Sequence, residues 1–263
     1  MEDTMSDLFM RDGAPFGEDV WRDIDEMVVR VLSKTLVGRK VLDMVGPLGW
    51  GVEQAPVFGF STDGPATATS ASYLTLQEIS EEFVVKAQQL AMSGQGPFKL
   101  DLGAVAIAAT KLANREDKML MDGLMAAASA SAALGDWSEP NGPFSAIAEA
   151  VAAMRASGAA GPYALIINPV TYAKLASLMH GKGMGRRELD LVSGILGEGI
   201  HQTTQMPGDK ALLLSSQSWN MDLVVGQDAV TAYLGNEGLD HGFRVFETLA
   251  LRVKRPEAIC VLS

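Results

Sequence analysis

Apolar and polar positions alternate with a helical period over residues 19–35, which predicts an amphipathic helix that begins near residues 16–19. Apolar residues recur there at spacings of three and four, so they share one helix face. They are Val20, Ile24, Met27, Val28, Val31 and Leu32. Turn formers and short apolar pairs follow, up to Trp50. We interpret the stripe and this segment as a surface that another element or another chain covers, and we expect residues 1–15 to be frayed.

Residues 51–77 have a different character from the helix before them. They contain three glycines, two prolines and many Thr, Ser and Ala residues, with almost no charge. Connections of this length are uncommon inside a compact domain. Short apolar groups at 57–60 and 73–74 are flanked by turn formers. We predict an extended β-arm whose partner lies outside its own domain, with a mobile surface loop as the alternative.

The remaining patterns predict an α+β fold. A helix, or a strand followed by a helix, is expected over 77–93, and a long Ala-rich helix over about 102–133. An α/β lobe follows over 136–225, with helices at 144–157, 169–179 and 188–196 and strands at 163–167, 211–215 and 221–225. The end of the chain is predicted to be mostly strand, with long β segments at 230–234 and 243–253.

Composition narrows the class of protein. The chain has 263 residues, of which 48% are apolar and 20% charged, and this indicates a globular fold with a sizeable core. Its formal charge of −11 argues against nucleic-acid binding. The single cysteine, Cys260, excludes an internal disulfide, and its apolar neighbours predict burial. No secretory signal and no 18-residue apolar run is found, so we expect a soluble, cytoplasmic protein.

Catalytic and cofactor-binding patterns are not found in the sequence. The three histidines, His180, His201 and His241, share no metal-ligand spacing. Asp240 and His241 are not accompanied by a nucleophile elbow, and glycines at 181–185 do not match a dinucleotide-binding fingerprint. We therefore expect no catalytic residues, no metal and no cofactor, and a protein that is not an enzyme.

Short motifs occur in a fixed order along the chain. The first are Ala14-Pro15, Trp21, Ile24-Asp25, Leu36, Gly38-Arg39-Lys40, Asp43, Gly46-Pro47 and Gly49-Trp50. Later ones are Asp101-Leu102, Glu116-Asp117, Gly161-Pro162-Tyr163, Leu165-Ile166-Ile167-Asn168, Gly226-Gln227-Asp228 and Pro256-Glu257-Ala258. In this order and spacing the chain resembles the encapsulin shell proteins over essentially its full length from residue 14. Each motif alone is weak, but the ordered set is specific.

The resemblance implies an HK97-type capsid fold. Residues 1–50 would form the N-terminal helix and the start of a peripheral domain, and 51–77 the extended loop that pairs with a neighbouring subunit. Residues 78–135 would complete the peripheral domain with its spine helix, 136–225 would form the axial domain, and 226–263 would return to the peripheral domain. Such subunits assemble into an icosahedral shell of sixty copies or a larger multiple.

The resemblance also implies a function for the inner surface of the shell. Encapsulins enclose cargo enzymes, such as iron-storing ferritin-like proteins and dye-decolourising peroxidases, through C-terminal targeting peptides. Carried onto this chain, the groove for such a peptide comprises Met27, Val31, Leu32, Leu36, Arg39, Asp43, Val230 and Tyr233. Alternatively, Val31 and Leu32 are ordinary core contacts, and Arg39 and Asp43 form a structural ion pair.

The family places its fivefold pore loop at the glycine-rich, basic segment His180, Gly181, Lys182, Gly183, Met184, Gly185, Arg186 and Arg187. Its basic residues would favour the entry of anions. Some members bind a flavin against an aromatic residue, but Val85 occupies the aligned position here, so no flavin is predicted. An HK97-like prophage capsid protein is the nearest alternative, and a hydrolase is disfavoured because no triad or metal set is found.

Overall fold

The computed structural model describes residues 8–61, 65, 67–95, 97, 99–181 and 185–263. The helices are α1 (Glu18–Thr35), α2 (Gly38–Val41), α3 (Ala87–Gln95), α4 (Gly103–Ala127), α5 (Gly142–Ala156), α6 (Pro169–Ser177) and α7 (Glu188–Leu196). The strands are β1 (Met44–Val45), β2 (Gln54–Ser61), β3 (Thr67–Thr75), β4 (Gln77–Val85), β5 (Ala130–Ala132), β6 (Tyr163–Ile167), β7 (Gly197–Gln202), β8 (Ala211–Leu214), β9 (Met221–Val225), β10 (Val230–Glu237), β11 (Asp240–Val253) and β12 (Ile259–Leu262). None of the described helices is long and apolar enough to cross a membrane.

The first sheet is built around the long strand β11. Strand β4 pairs with one edge of β11, while β10 and β9 follow one another along the other edge, and β1 extends the sheet beyond β9. Helices α1 and α4 pack together on this sheet. Their apolar faces meet the aromatic residues of the sheet in one core, in which Ile24, Leu112 and Phe243 are fully buried. The predicted amphipathic helix is thereby confirmed as α1.

The second sheet has the strand order β5-β12-β8-β6-β7. Its central strands β6 and β8 are buried at every position, as expected for strands covered on both faces. Helices α5, α6 and α7 surround it, and Met154, Val192 and Leu196 pack against it. Cys260, on β12, is a free, buried thiol as predicted, and burial raises its pKa.

The segment predicted as an arm forms a two-stranded antiparallel ribbon of β2 and β3. The ribbon forms a sheet of its own, separate from the two larger sheets. Phe58, Phe60 and Tyr73 are exposed on it. Large aromatic residues exposed on a ribbon with unpaired strand edges would favour aggregation of an isolated subunit unless another surface covers them.

Residues predicted to end the long helix form a strand instead. Helix α4 ends at Ala127 rather than near 133, and β5 pairs in parallel with β12. The Leu134 N–H donates to the Ser263 carbonyl, and the Ser263 N–H donates to the Ala132 carbonyl. These main-chain bonds to the C-terminal strand outweigh the helix preference of the alanines, since tertiary context overrides propensity.

Two strands lie in a different sheet from the one expected. Strand β9, which was assigned to the α/β lobe, pairs with β11 in the first sheet, and β12, which was assigned to the returning segment, pairs with β8 in the second. An apolar run fits either sheet equally well, so periodicity cannot choose between them. The division into domains as a whole stays a prediction.

Candidate functional site

A groove runs between the C-terminal half of α1 and the turn before β10. It has a volume of about 290 Å³ and is lined by Val29, Leu32, Ser33, Leu36, Arg39, Lys40, Asp228 and Ala229. Leu32 and Leu36 are buried and form an apolar floor. Val29 stands at the rim with 63% of its surface exposed. The groove therefore joins a small apolar slot to a charged end.

Arg39 forms the charged end of the groove. Its guanidinium contacts three carboxyl groups, with Nη2 at 2.8 Å from Glu116 Oε2 and 2.5 Å from Glu247 Oε2, and Nη1 at 2.7 Å from Asp228 Oδ1. The side chains of Glu116 and Glu247 are fully buried. Burial opposes the charge on Arg39, but its bonds to these acids outweigh that effect and raise the pKa of Arg39. Arg39 is therefore a fixed cation.

The surroundings of Glu247 favour its protonated form. Burial, reinforced by the neighbouring charge of Glu116, raises its pKa to about 9, although Arg39 acts in the opposite direction. Its Oε1 atom has no hydrogen-bond partner among the described residues. An unpaired oxygen in a buried site disfavours the ionised form. The cluster under the groove thus places the Arg39 cation against a buried acid that holds its proton more tightly than usual.

Asp117 positions Arg39 by holding the first turn of α2. Its carboxylate accepts hydrogen bonds from the N–H groups of Val37 and Gly38 at 2.9–3.1 Å. Burial raises the pKa of Asp117, and these hydrogen bonds act in the opposite direction. A Cβ on Gly38 would lie 2.3 Å from Leu120 Cδ1, so the buried Leu120 side chain would have to shift to admit it. The motif Gly38-Arg39-Lys40 thus begins a short helix that is held against α4.

The structure brings together only part of the predicted groove. Leu32, Leu36 and Arg39 line it. Met27 and Val31 are partly buried and pack on the core, Tyr233 is buried in it, and Val230 is half-buried on β10. The assignment of these eight residues to a peptide groove stays a prediction.

The ion pair considered between Arg39 and Asp43 is wrong, because Arg39 is already bound to Glu116, Asp228 and Glu247. Asp43 is exposed. It lines a second, polar cleft of about 310 Å³ that shares Arg39 and Lys40 with the groove. The two cavities are therefore neighbours on either side of the basic pair.

Sequence reasoning missed Val29, Ser33, Lys40, Asp228 and Ala229 in the groove. It also missed the buried acids that hold Arg39. One signal was available for these acids: Glu116 falls on the apolar face of the predicted spine helix, and a charged residue there requires a partner.

The N-terminal strap, residues 9–14, is packed rather than frayed, which corrects the prediction for this part of the chain. Phe9 is buried and its ring lies 5.6 Å from the rings of both Trp50 and Phe246. Arg11 forms a bidentate ion pair with Asp25, with both N–O distances at 2.7 Å. These contacts tie the strap to α1 and to the sheet.

The predicted pore loop is anchored at both ends. The His180 N–H donates to the Arg186 carbonyl at 2.8 Å, and Met179 forms an isolated bridge with Arg187. His180 Nδ1 lies 2.7 Å from the buried carboxylate of Glu188. Gly181, Gly185, Arg186 and Arg187 belong to the described chain, whereas Lys182, Gly183 and Met184 lie outside the described residues. The role of the loop stays a prediction.

Glu188 links this loop to the start of α5. Its carboxylate accepts hydrogen bonds from the N–H groups of Asn141 and Phe144, at the first turn of that helix. Elsewhere, His241 Nδ1 lies 3.0 Å from the Tyr233 hydroxyl. No group of three or more metal-ligating side chains is brought together within the part of the chain that the structure describes.

Comparison with known proteins identifies the family. The family profile described as "Encapsulating protein for peroxidase" matches residues 5–250. The chain is 32% identical over 271 residues to the type 1 encapsulin shell protein EncA of Myxococcus xanthus, with 95% of this chain and 94% of that protein covered. A ferritin-like-encapsulin shell fusion protein of Pyrococcus furiosus is 36% identical over 131 residues, which cover 49% of this chain and 37% of the fusion protein.

A solved structure confirms the fold. The crystal structure of a virus-like particle from Pyrococcus furiosus superposes with a TM-score of 0.82 at 24% identity, covering 93% of this chain and 99% of that one. The predicted HK97-type α+β architecture is therefore correct. Taken with the family profile, which spans most of the chain, these matches establish that the chain belongs to the encapsulin shell proteins.

Proposed function

We propose that this shell subunit captures a cargo protein by binding the cargo's C-terminal peptide in the groove between α1 and the turn before β10. One observation carries the proposal: the partly exposed Val29 stands over an apolar floor of Leu32 and Leu36, beside a fixed cluster of charges. An apolar slot with a polar end is the arrangement that recognises a short extended peptide. The slot has room for two or three aliphatic side chains.

Every subunit of the shell carries one groove on the inner surface. Weak binding of a tail at each groove is therefore sufficient to hold an oligomeric cargo protein. Each aliphatic CH₂ group buried in the slot contributes roughly 0.8 kcal/mol before the entropy of ordering the peptide is subtracted. Such a peptide binds each groove modestly. An oligomeric cargo presents several tails to several grooves, and the linked binding events strengthen one another.

The arm supplies the contacts between subunits in this proposal. Phe60 is 57% exposed, and Phe58 and Tyr73 are exposed near it on the β2–β3 ribbon. A second copy of the chain is the partner that a homo-oligomeric shell provides for these rings. Pairing of the ribbon with a neighbouring subunit covers its open edges and sets the orientation of the neighbour.

The family suggests the class of cargo and the compartment that we propose. The family description names a peroxidase, and one relative joins ferritin-like and shell segments in a single chain. We propose an iron-storing ferritin-like protein or a dye-decolourising peroxidase as cargo, and a cytoplasmic particle whose shell protein has no catalytic role itself. The alternative of a prophage capsid is less favoured, because the encapsulin profile spans residues 5–250.

A selection for enclosed tails tests the proposal without a known cargo. A library of random ten-residue C-terminal tails is fused to a monomeric fluorescent protein and coexpressed with the shell. Particles are purified, treated with protease on the outside, and the enclosed tails are sequenced. We expect enrichment of tails with two or three aliphatic residues at regular spacing. Enclosed tails with the composition of the input library would contradict the proposed groove.

A further inference from the structure

We propose that Arg11 closes one end of this groove and thereby limits the length of the tail that the groove accepts. The inference rests on the proposed function of the groove. It concerns the N-terminal strap, residues 9–14, which lies across the open edge of β10 beside the groove. Arg11 contacts both α1, through Asp25, and β10, through the Thr231 carbonyl, next to the groove.

The strap occupies the edge of the terminal strand of the first sheet. Strand β10 has β11 on one side, and the strap satisfies main-chain groups on its other side. The Tyr233 N–H donates to the Phe9 carbonyl at 3.0 Å, and Arg11 Nε donates to the Thr231 carbonyl at 3.0 Å. These are groups that an added peptide strand would use. The strap thus takes the place of a peptide along this part of the edge.

On the helix wall, Arg11 stands one turn before the groove. Its guanidinium pairs with Asp25 and lies 4.6 Å from the centre of the Trp21 ring. Asp25 and Val29 are four residues apart on α1, so they occupy the same face, separated by one turn of about 5.4 Å. A peptide that leaves the slot along α1 in this direction reaches the Arg11–Asp25 pair next.

On the opposite wall, Arg11 binds β10 just after the turn that lines the groove. Ala229 lines the groove, and the Thr231 carbonyl binds Arg11. Thr231 is the second residue of β10 and follows Ala229 by two positions in the chain. Arg11 therefore joins α1 to β10, through Asp25, one helical turn from Val29, and through Thr231, two residues after Ala229.

Removal of Arg11 would change both the length and the charge of the tails that the groove prefers. The Arg11→Ala chain loses the side chain that fills the space, and it leaves the Asp25 carboxylate and the Thr231 carbonyl without this partner. Both are hydrogen-bond acceptors, so a Lys or Arg in a longer tail would replace the missing guanidinium. The Asp25 side chain is 41% exposed, so the preference is expected to reach about fivefold at most.

The same tail selection tests this inference, with libraries of ten-residue and fourteen-residue tails. The shells compared are wild type, Arg11→Ala, Arg11→Ala with Asp25→Ala, and Arg22→Ala. Arg22→Ala is the matched control, because it removes an exposed arginine from α1 and leaves the strap intact. We expect the Arg11→Ala shell alone to enrich longer tails with a Lys or Arg at a fixed distance from the aliphatic residues, by about two- to fivefold over wild type.

The outcomes separate this inference from the proposed function. If wild-type shells enrich aliphatic tails and Arg11→Ala shells enrich the same tails with no added cation, the end-stop is refuted while the groove stands. A preference for cations that persists after Asp25→Ala would also refute it. If wild type enriches no tails, the groove itself fails. Electron microscopy of each variant verifies that closed particles form, and Arg11→Lys, which keeps the charge, is expected to retain the wild-type length limit.

Discussion

Arg39 and Glu247 meet directly under the groove, where Arg39 Nη2 donates a hydrogen bond to Glu247 Oε2 over 2.5 Å. The raised pKa of Glu247 means that this contact joins a cation to a neutral acid at neutral pH. The charge of Arg39 is balanced instead by Glu116 and Asp228. A fixed guanidinium on a floor of α4 and β11 gives the groove a rigid polar end.

This arrangement predicts a pH dependence of shell stability. The pKa of Glu247 rises on folding from 4.5 to about 9, so the folded chain holds a proton that the unfolded chain releases above pH 4.5. The contribution of Glu247 to the free energy of unfolding is therefore complete below about pH 4.5, and it is lost progressively as the pH rises to about 9. Glu247→Gln keeps the neutral form and should stabilise the shell relative to wild type more at pH 9 than at pH 6, by up to about 1.4 kcal/mol for each pH unit between them.

Thermal unfolding of assembled shells at pH 6 and pH 9 measures this difference. Glu82→Gln is the control, since Glu82 is exposed on β4 and the substitution removes the same charge. We expect the midpoint of Glu247→Gln to exceed that of wild type by more at pH 9 than at pH 6. Equal gaps at the two pH values would show that Glu247 is ionised in the shell.

Gly38→Ala should destabilise the subunit through a steric clash with the spine helix. The added Cβ would lie 2.3 Å from Leu120 Cδ1, and overpacking of this kind costs about 1–3 kcal/mol. Gly51→Ala is the control, because no atom lies within 4 Å of a Cβ at that position. In a double-mutant cycle of the shell, Leu120→Ala should relieve part of the cost of Gly38→Ala; strict additivity would contradict the clash.

The arm should be required for assembly but not for folding of the subunit. Phe60→Asp places a charge on an exposed ring position of the ribbon and is expected to abolish closed particles, since a desolvated charge at an interface is costly. Circular dichroism should show unchanged secondary structure. Phe60→Leu, which stays apolar, should still assemble. Normal particles from Phe60→Asp, counted by negative-stain microscopy, would remove this residue from the subunit interface.

The basic ends of the predicted pore loop should favour entry of anions. Arg186 and Arg187 are exposed, and five copies around a pore would create a positive rim. The double change to Glu should slow an enclosed enzyme acting on an anionic substrate by roughly tenfold or more at low salt, with less effect at high salt. A neutral substrate serves as the control. Unchanged kinetics for the anionic substrate at low salt would exclude this loop as the entry route.

The sequence predicted the individual helices and strands better than it predicted which strands pair with one another. The period of α1 and the apolar run of β6 identified both elements, because each pattern is local. The exchange of β9 and β12 between sheets depends on pairings with distant residues, as in Leu249 with Val225. A local apolar pattern contains no information about such pairings.

The residues of the groove also show that local sequence patterns do not determine contacts between distant parts of the chain. Leu32 and Leu36, which the resemblance assigned to the groove, line it, but Val31 packs on the core while Val29 reaches the rim. Which side of a helix stripe meets the core depends on how the helix is docked. Arg39 was identified through the family motif, whereas its partners Glu116 and Glu247 come from distant elements that only the folded chain brings together.

The central claim is that the groove at Val29 captures the cargo tail, and Val29→Asp tests it most directly. Val29 is 63% exposed, so the change spares the core. Val170→Asp is the matched control, because Val170 is 66% exposed on α6, far from the groove in sequence. The measurement is the number of fluorescent reporters per purified particle, with a tail taken from the wild-type selection. We predict a loss of at least about tenfold for Val29→Asp and wild-type loading for Val170→Asp. Full loading of intact Val29→Asp particles would contradict the account.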